Sequence, residues 1–217
     1  MRRTVQRPWD AQLACRLVTP LKDSWVTPNH LTTVRLATGI AAAAAFVPGT
    51  YGWSNLGALL LILSNFLDHA DGELARLSGK TSRIGHLYDL ASDAAVTILL
   101  FIGIGVGIDT DPGTDVDVLP TSLGALAGSA VALIFFLRMR IEEMAGKAAS
   151  QQAALCGFET EDILYLLPLV TLCNGVAPFL VVASIGAPLF AIWVLVEYRR
   201  VQRRLQSTTG QPTSGLA

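Results

Sequence analysis

The chain has 217 residues, of which 52% are hydrophobic and 15% are charged, with a formal net charge of −1. A typical soluble domain carries roughly 25% charged residues, so this chain has too few charges to cover a surface that faces water. The near-neutral charge excludes a basic domain that binds nucleic acid, and three cysteines without CxxC spacing exclude a disulfide scaffold. We therefore predict an all-α fold: a polytopic bundle of membrane helices.

The first segment, residues 1–28, is basic and lacks the apolar run of a cleaved signal peptide. Within it, Leu13, Ala14, Leu17 and Val18 recur at helical spacing. This pattern predicts a short amphipathic helix that lies at the cytoplasmic membrane interface. A basic leader without fixed structure is the alternative.

Apolar runs follow along the rest of the chain. The first four cover residues 31–47, 53–67, 85–108 and 119–140, and the second continues into polar sequence. The run 163–196 is too long for one crossing, because a span needs about 20 residues, so we divide it at a turn between Asn174 and Pro188. The sequence thus predicts six transmembrane helices in a domain of residues 29–205, followed by a disordered tail at 206–217.

The basic residues test this division into six spans. All sixteen Lys and Arg residues fall in four segments on alternate connections: six up to Arg35, three in 76–83, three in 138–147 and four in 199–204. The three intervening loops contain none. The positive-inside rule then places both chain termini on the cytoplasmic side, and we expect the cell (inner) membrane.

Acidic residues interrupt the apolar pattern at one place. Asp68 and Asp71 are three residues apart, and Asp89 and Asp93 are four apart, so each pair shares one face of a helix. The two helices are predicted to be antiparallel neighbours, which allows the pairs to meet. Two such charges repel by about 4 kcal/mol at an effective dielectric near 20. We therefore expect bound divalent cations, Mg²⁺ or Mn²⁺, which prefer oxygen ligands.

Plainer explanations exist for the single residues. Asp68 can be an ordinary polar helix end, and Asp89 can form a structural ion pair with Arg76 or Arg83. Glu73 lies off the face of the aspartates, and we expect it to be solvated. The paired spacing of four aspartates favours the ion site over these alternatives.

The acidic stretch resembles the signature of the CDP-alcohol phosphatidyltransferases. Eight residues match the fixed positions of that signature: Asp68, Asp71, Gly72, Ala75, Arg76, Gly85, Asp89 and Asp93. The six-helix layout, the N-terminal surface helix and the segment 28–35 are also similar to that family. The resemblance extends over nearly the whole chain.

The resemblance implies a membrane transferase of phospholipid biosynthesis. Such an enzyme displaces CMP from a CDP-alcohol, here expected to be CDP-diacylglycerol, by the hydroxyl of an acceptor alcohol. In that family the residues at the positions of Asp68, Asp71, Asp89 and Asp93 bind two divalent ions that hold the pyrophosphate. The residue at the position of Asp93 is also taken as the general base.

The resemblance further implies a nucleotide site and a homodimer. The expected CDP-binding residues are Asn29, Gly72, Ala75, Arg76 and Gly85. Arg138 and Arg140, at the predicted cytoplasmic end of helix four, are candidates for binding an anionic acceptor; simple positive-inside anchors are the alternative.

Two other functions stay open from the sequence. A membrane prenyltransferase would use aspartate-bound Mg²⁺ on a polyprenyl diphosphate, but it would show a second Asp-rich motif, which is not found near Asp162. A cation transporter would place its aspartates near the middle of the membrane on broken helices. Asp68 and Asp71 instead lie at a predicted helix end.

Overall fold

The computed structural model describes residues 9–110, 119–146 and 165–209. Within these ranges all regular structure is helical, which confirms the predicted all-α class. A short 3-10 turn, Thr19–Leu21, follows the first helix. The α-helices are α1 (Trp9–Val18), α2 (Pro28–Phe46), α3 (Tyr51–Ser78), α4 (Arg83–Thr110), α5 (Pro120–Ala145), α6 (Leu167–Leu172) and α7 (Val176–Thr209).

Three of the described helices are long and apolar enough to cross a membrane. They are Arg83–Thr110, Pro120–Ala145 and Val176–Gln206. On the last of these, Ile185 and Leu189 are 61% and 63% exposed. Apolar side chains that face outwards along a long helix are typical of contact with lipid. The fold is therefore that of a membrane protein, and the count of six spans stays a prediction.

The predicted turn within the last apolar stretch is confirmed. It lies at Asn174, the N-terminal limit of the range predicted for it. Asn174 has a φ of 53°, in the left-handed region. The N–H of Gly175 donates to the carbonyl oxygen of Val170 at 2.8 Å, which closes the end of α6. Pro188 lies inside α7 and does not end it.

The C-terminal tail begins later than the sequence predicts. α7 extends to Thr209, so residues 206–209 are helical and not disordered. Arg203, Arg204, Leu205 and Gln206 are good helix formers that allow α7 to continue past its apolar part, and the helix ends among the weaker helix formers of 207–209. The rest of the tail, residues 210–217, and the predicted start of helix five at residue 163 lie outside the described residues.

The predicted N-terminal helix is present as α1 and packs against α3. Ala14 and Val18 are buried in a cluster that includes Leu74 of α3. Leu13 and Leu17 are 43% and 56% exposed. The apolar stripe of α1 is therefore divided between the protein interior and the outside, and its location at a membrane interface stays a prediction.

The core lies between α2, α3, α4 and α5. α4 packs against both α2 and α5, α2 packs against α3, and α5 packs against α7. Large side chains that are almost fully buried fill this core: Phe46, Leu61, Leu100, Phe101 and Ile104. The helices that carry the acidic signature, α3 and α4, are thus both held by α2.

Glycines set the distance between α4 and its neighbours. A Cβ atom on Gly103 or Gly107 would overlap the backbone of Ala43 or Phe46 in α2. A Cβ on Gly124 of α5 would overlap the backbone of α4 in the same way. Because glycine has no side chain, the backbones come into direct contact, as is common in membrane bundles.

Replacing Gly107 by alanine tests the close packing of α2 and α4. The added methyl group meets the carbonyl oxygen of Phe46, so we expect a loss of about 1–3 kcal/mol, the usual cost of overpacking. A lower thermal unfolding midpoint in detergent would report this loss. Gly52→Ala is the control, because no heavy atom lies within 4 Å of its added Cβ. Equal midpoints for the two variants would contradict the packing.

Candidate metal and nucleotide site

The N-terminus of α2 is fixed by contacts within its own sequence. Pro28 occupies the first turn, where a helix does not need its N–H group. The N–H of Thr27 donates to Nδ1 of His30 at 3.2 Å. Further along the helix, Thr32 and Arg35 are only 3% and 4% exposed. The cap thus sets the register in which α2 presents these two polar residues to the interior.

A short link, residues 79–82, joins α3 to α4 and keeps their polar ends together. Gly79 adopts a φ of 64° and donates its N–H to the carbonyl oxygen of Ala75 at 3.0 Å. The hydroxyl of Ser82 accepts a hydrogen bond from the N–H of Gly85 at 2.9 Å, at the start of α4. The signature residues of both helices therefore lie at the same end of the bundle.

Three of the four predicted metal ligands converge. One carboxylate oxygen from each of Asp68, Asp71 and Asp89 lies within 4.8 Å of the other two. Asp71 is buried, whereas the side chains of Asp68 and Asp89 are 37% and 35% exposed. A set of oxygen donors at this spacing fits a hard divalent cation such as Mg²⁺ or Mn²⁺.

The fourth aspartate, Asp93, lies one turn further along α4 and contacts a guanidinium group. Its Oδ1 forms an ion pair with Nη2 of Arg35. Nη1 of the same arginine lies 2.9 Å from Oδ1 of Asp68 and 2.7 Å from Oδ1 of Asp89. One buried side chain from α2 thus contacts three carboxylates on two other helices.

α2 supplies polar contacts to all four aspartates. The hydroxyl of Thr32 donates to Oδ2 of Asp71 at 2.8 Å, and Arg35 contacts the other three. α2 is itself fixed to α3, because the hydroxyl of Ser64 donates to the carbonyl oxygen of Arg35 at 3.0 Å. The acidic site is therefore built by three helices and not by the two that carry the signature.

The pKa of Asp71, which lies in the polar end of α3 beyond its apolar run, is strongly raised. Burial, followed by the charges of Asp68 and Asp89, raises the pKa of Asp71 to about 7. The Thr32 hydrogen bond and the charge of Arg35 lower this pKa in turn, but by less. Near neutral pH such a carboxyl group is therefore partly protonated, and a bound cation would favour its ionised form.

Arg35 is the site residue whose contacts the sequence did not reveal. The ion pair considered for Asp89 involved Arg76 or Arg83, but the structure pairs it with Arg35. The available signal was a single arginine within the first apolar run. A buried charge in such a place needs partners of opposite sign, and the aspartates are the acidic residues that could supply them.

Glu73 is buried, so the expectation that it is solvated is wrong. It is 3% exposed, and its Oε1 accepts a hydrogen bond from Nη2 of Arg76 at 2.8 Å. Because α1 and α2 both pack against α3, positions away from the aspartate face are still covered. The side chain of Arg76 is itself 65% exposed.

Asp89 lines two cavities at the aspartate site. The first, of about 160 Å³, is called the motif cavity; it is lined by Asn29, Asp71, Gly72, Ala75, Gly85 and Asp89, among others. The second, of about 250 Å³, is called the core cavity; it is lined by Arg35, Asp68, Asp89, Asp93 and apolar residues such as Leu61 and Leu100.

The motif cavity brings together four of the five residues expected to bind CDP. A Cβ on Gly85 would lie 2.8 Å from Oδ1 of Asn29, so this glycine allows α4 to approach α2. A Cβ on Gly72 would meet nothing nearer than Nη2 of Arg76 at 3.8 Å, so Gly72 leaves the cavity open. Arg76 is not among the residues described as lining it.

The two arginines expected to bind the acceptor, Arg138 and Arg140, are not among the described residues that line the motif cavity or the core cavity. The guanidinium carbon of Arg138 lies 5.4 Å from the centre of the Phe190 ring. Nη1 of Arg140 pairs with Oε2 of Glu143 at 2.6 Å. Met139, between them, lines the core cavity.

The chain is similar in sequence to two known transferases. The chain is 33% identical to cholinephosphotransferase 1 of Danio rerio over 88 residues, which cover 37% of this chain and 23% of that protein. It is 34% identical to the CDP-diacylglycerol–glycerol-3-phosphate 3-phosphatidyltransferase of Cereibacter sphaeroides over 80 residues, which cover 36% of each protein. The matched segments thus span well under half the length of these curated relatives.

A family model extends the similarity to most of the chain. The model of the CDP-alcohol phosphatidyltransferases matches residues 25–197. This range contains α2 to α6, the whole acidic signature and both cavities. The chain belongs to the CDP-alcohol phosphatidyltransferase family.

Proposed function

We propose that the protein is an integral-membrane enzyme that transfers a substituted phosphate group from a CDP-alcohol to the hydroxyl of an acceptor alcohol. The acceptor oxygen bonds to the phosphorus that carries the donor alcohol, the bridge between the two phosphorus atoms breaks, and CMP leaves. Asp68, Asp71 and Asp89, whose oxygens converge, are called the carboxylate triad. The observation that carries this proposal is that Asp71 and Asp89 belong both to this triad and to the lining of the motif cavity.

The aspartates are proposed to hold two divalent ions, Mg²⁺ or Mn²⁺. Asp68, Asp71 and Asp89 offer only oxygen donors within 4.8 Å of one another, which suits these ions. Asp93 is proposed as the further ligand. When bound, such ions neutralise charge on phosphate oxygens and on the leaving CMP.

The motif cavity is proposed to bind the nucleotide. Gly72 and Gly85 keep side chains out of it, and the amide of Asn29 lines it. Arg76 is proposed to bind donor phosphate, because a guanidinium has five donors and the Glu73 contact described here uses one nitrogen.

Asp93 is proposed to accept the proton of the acceptor hydroxyl. Its side chain is 38% exposed and lines the core cavity, so a hydroxyl group can reach it. A carboxylate within hydrogen-bond reach accelerates such a reaction because a neutral hydroxyl is a poor nucleophile.

CDP-diacylglycerol is the donor that we propose, because the name of the Cereibacter sphaeroides relative includes it. Arg138 and Arg140 are proposed to attract an anionic acceptor towards the core cavity, which Met139 lines. For the whole chain we propose six spans, a homodimer, residues 1–28 at the cytoplasmic interface and an active site that faces the cytoplasm of the cell (inner) membrane.

Release of CMP tests the proposed reaction. Purified protein in detergent is incubated with Mn²⁺, CDP-diacylglycerol and one acceptor at a time: glycerol 3-phosphate, inositol, inositol phosphate or serine. We expect CMP with one of these pairs and none after EDTA treatment. Diphosphate released from a prenyl substrate without CMP would instead support a prenyltransferase. Mn²⁺ uptake into proteoliposomes without either product would support a transporter.

The variant Asp93→Asn tests the proposed base. We expect it to bind Mn²⁺ and the CDP donor but to turn over about 10²–10⁴ times more slowly, the usual contribution of general-base catalysis. Asp71→Asn is the comparison, because loss of a triad carboxylate is expected to weaken Mn²⁺ binding as well. An Asp93→Asn protein that no longer binds nucleotide would contradict the base role.

The variant Thr32→Val tests the hydrogen bond to Asp71. Removal of a group that orients a metal ligand weakens metal binding by about 10–100-fold, and we expect this change in Mn²⁺ affinity by calorimetry. Thr38→Val is the matched control on the same helix, because its hydroxyl donates to the backbone carbonyl of Val34 at 2.8 Å. Identical affinities for the two variants would show that Thr32 does not orient the site.

A further inference from the structure

We propose that Arg35 is a built-in counter-ion of the aspartate site that competes with divalent ions for the carboxylates. In the ion-free protein it holds Asp68, Asp89 and Asp93 together, and binding of the full set of ions requires it to release them. Arg35 is thus a positioning residue. The inference rests on the proposed function, because it concerns ions that the aspartates are proposed to bind.

The burial of Arg35 shows that its contacts with the aspartates are not incidental. Its side chain is 5% exposed, and it comes from α2, whereas its carboxylate partners come from α3 and α4. A guanidinium group stays protonated in proteins, so this positive charge is permanent. A buried permanent charge is tolerated only with partners of opposite sign, and three carboxylates supply them here.

The planar fork of the guanidinium explains how one residue contacts three. Nη1 lies between Asp68 and Asp89, at 2.9 and 2.7 Å, and Nη2 contacts Asp93. The fork thereby bridges the polar ends of α3 and α4. Without it, the carboxylates would repel one another unless an ion were bound.

The negative charge of the aspartates exceeds the positive charge of Arg35. We therefore infer that Arg35 competes with cations and is not merely one half of a structural ion pair. When ionised, Asp68, Asp89 and Asp93 carry three negative charges and Arg35 carries one positive charge, so two negative charges remain even when Asp71 holds a proton. Two members of the carboxylate triad, Asp68 and Asp89, are also partners of Arg35. An ion that takes their oxygens must take them from the guanidinium.

The thermodynamic consequence distinguishes this role from a merely structural one. If Arg35 competes with ions, its removal destabilises the ion-free protein but strengthens ion binding, because the ion no longer displaces anything and relieves more repulsion. If Arg35 only supports the fold, its removal lowers stability equally with and without ions and leaves ion affinity unchanged or weaker.

The experiment compares Arg35→Met with the wild-type full chain in detergent. Mn²⁺ affinity is measured by calorimetry, and the thermal unfolding midpoint is measured in EDTA and in Mn²⁺. We expect Mn²⁺ to bind about tenfold more tightly, within the usual range of coupling between two sites. We also expect a lower midpoint in EDTA and a larger rise on addition of Mn²⁺ than in the wild type.

Arg83→Met is the matched control, because it removes the same charge from the same end of the bundle at an exposed position. It should match the wild type in affinity and in both midpoints. If Arg35→Met does not fold, Arg35→Lys keeps the charge without the planar fork, and a smaller tightening of Mn²⁺ binding is expected.

Two results would overturn the inference. One is unchanged or weaker Mn²⁺ binding in a folded Arg35→Met or Arg35→Lys protein. The other is an equal tightening in Arg83→Met, which would show a general effect of charge and not competition. A wild-type protein that binds no Mn²⁺ would overturn the proposed ion site itself, whereas wild-type binding with no response to Arg35 overturns the inference alone.

Discussion

The structure of the bundle end that carries the signature depends on how the negative charge of its four aspartates is compensated. Carboxylates this close repel one another, and partial burial strengthens the repulsion. α2 counters it with a hydroxyl on Asp71, from Thr32, and with a guanidinium on the other three aspartates, from Arg35. This compensation connects α3 and α4 to a third helix, so the geometry of the site is a property of the three-helix unit.

Close helix packing makes that compensation possible. Gly103 and Gly107 of α4 allow its backbone to contact the C-terminal half of α2. Gly39, one turn beyond Arg35, accommodates the side chain of Val96, which a Cβ at this position would overlap. Had these positions carried side chains, α2 would lie further from α4, and the guanidinium would not reach Asp89. The glycines of the apolar runs therefore serve the polar site as well as the core.

Family membership and cavity shape contribute different parts of the functional argument. Membership rests on a match over residues 25–197, and it supports the class of reaction. The two relatives are named for different transfers, so similarity to them does not select a substrate. The core cavity combines Asp93 and other polar residues with large apolar side chains such as Leu61 and Leu100, whereas the motif cavity has glycine, alanine and polar residues in its lining. This division of chemistry is consistent with a nucleotide beside the signature and an acceptor beside Asp93.

The sequence by itself determined the helical class, a turn between Asn174 and Pro188, the family and the pairing of the aspartates. These features are local, since hydrophobic runs, turn residues and spacing of three or four act within one helix or one link. Only the tertiary structure decided that Arg35 contacts three aspartates, that Glu73 is buried and that Arg138 and Arg140 lie apart from the cavities. Each of these depends on which helix packs against which face, and the energy of a buried charge is set by neighbours that are distant in sequence.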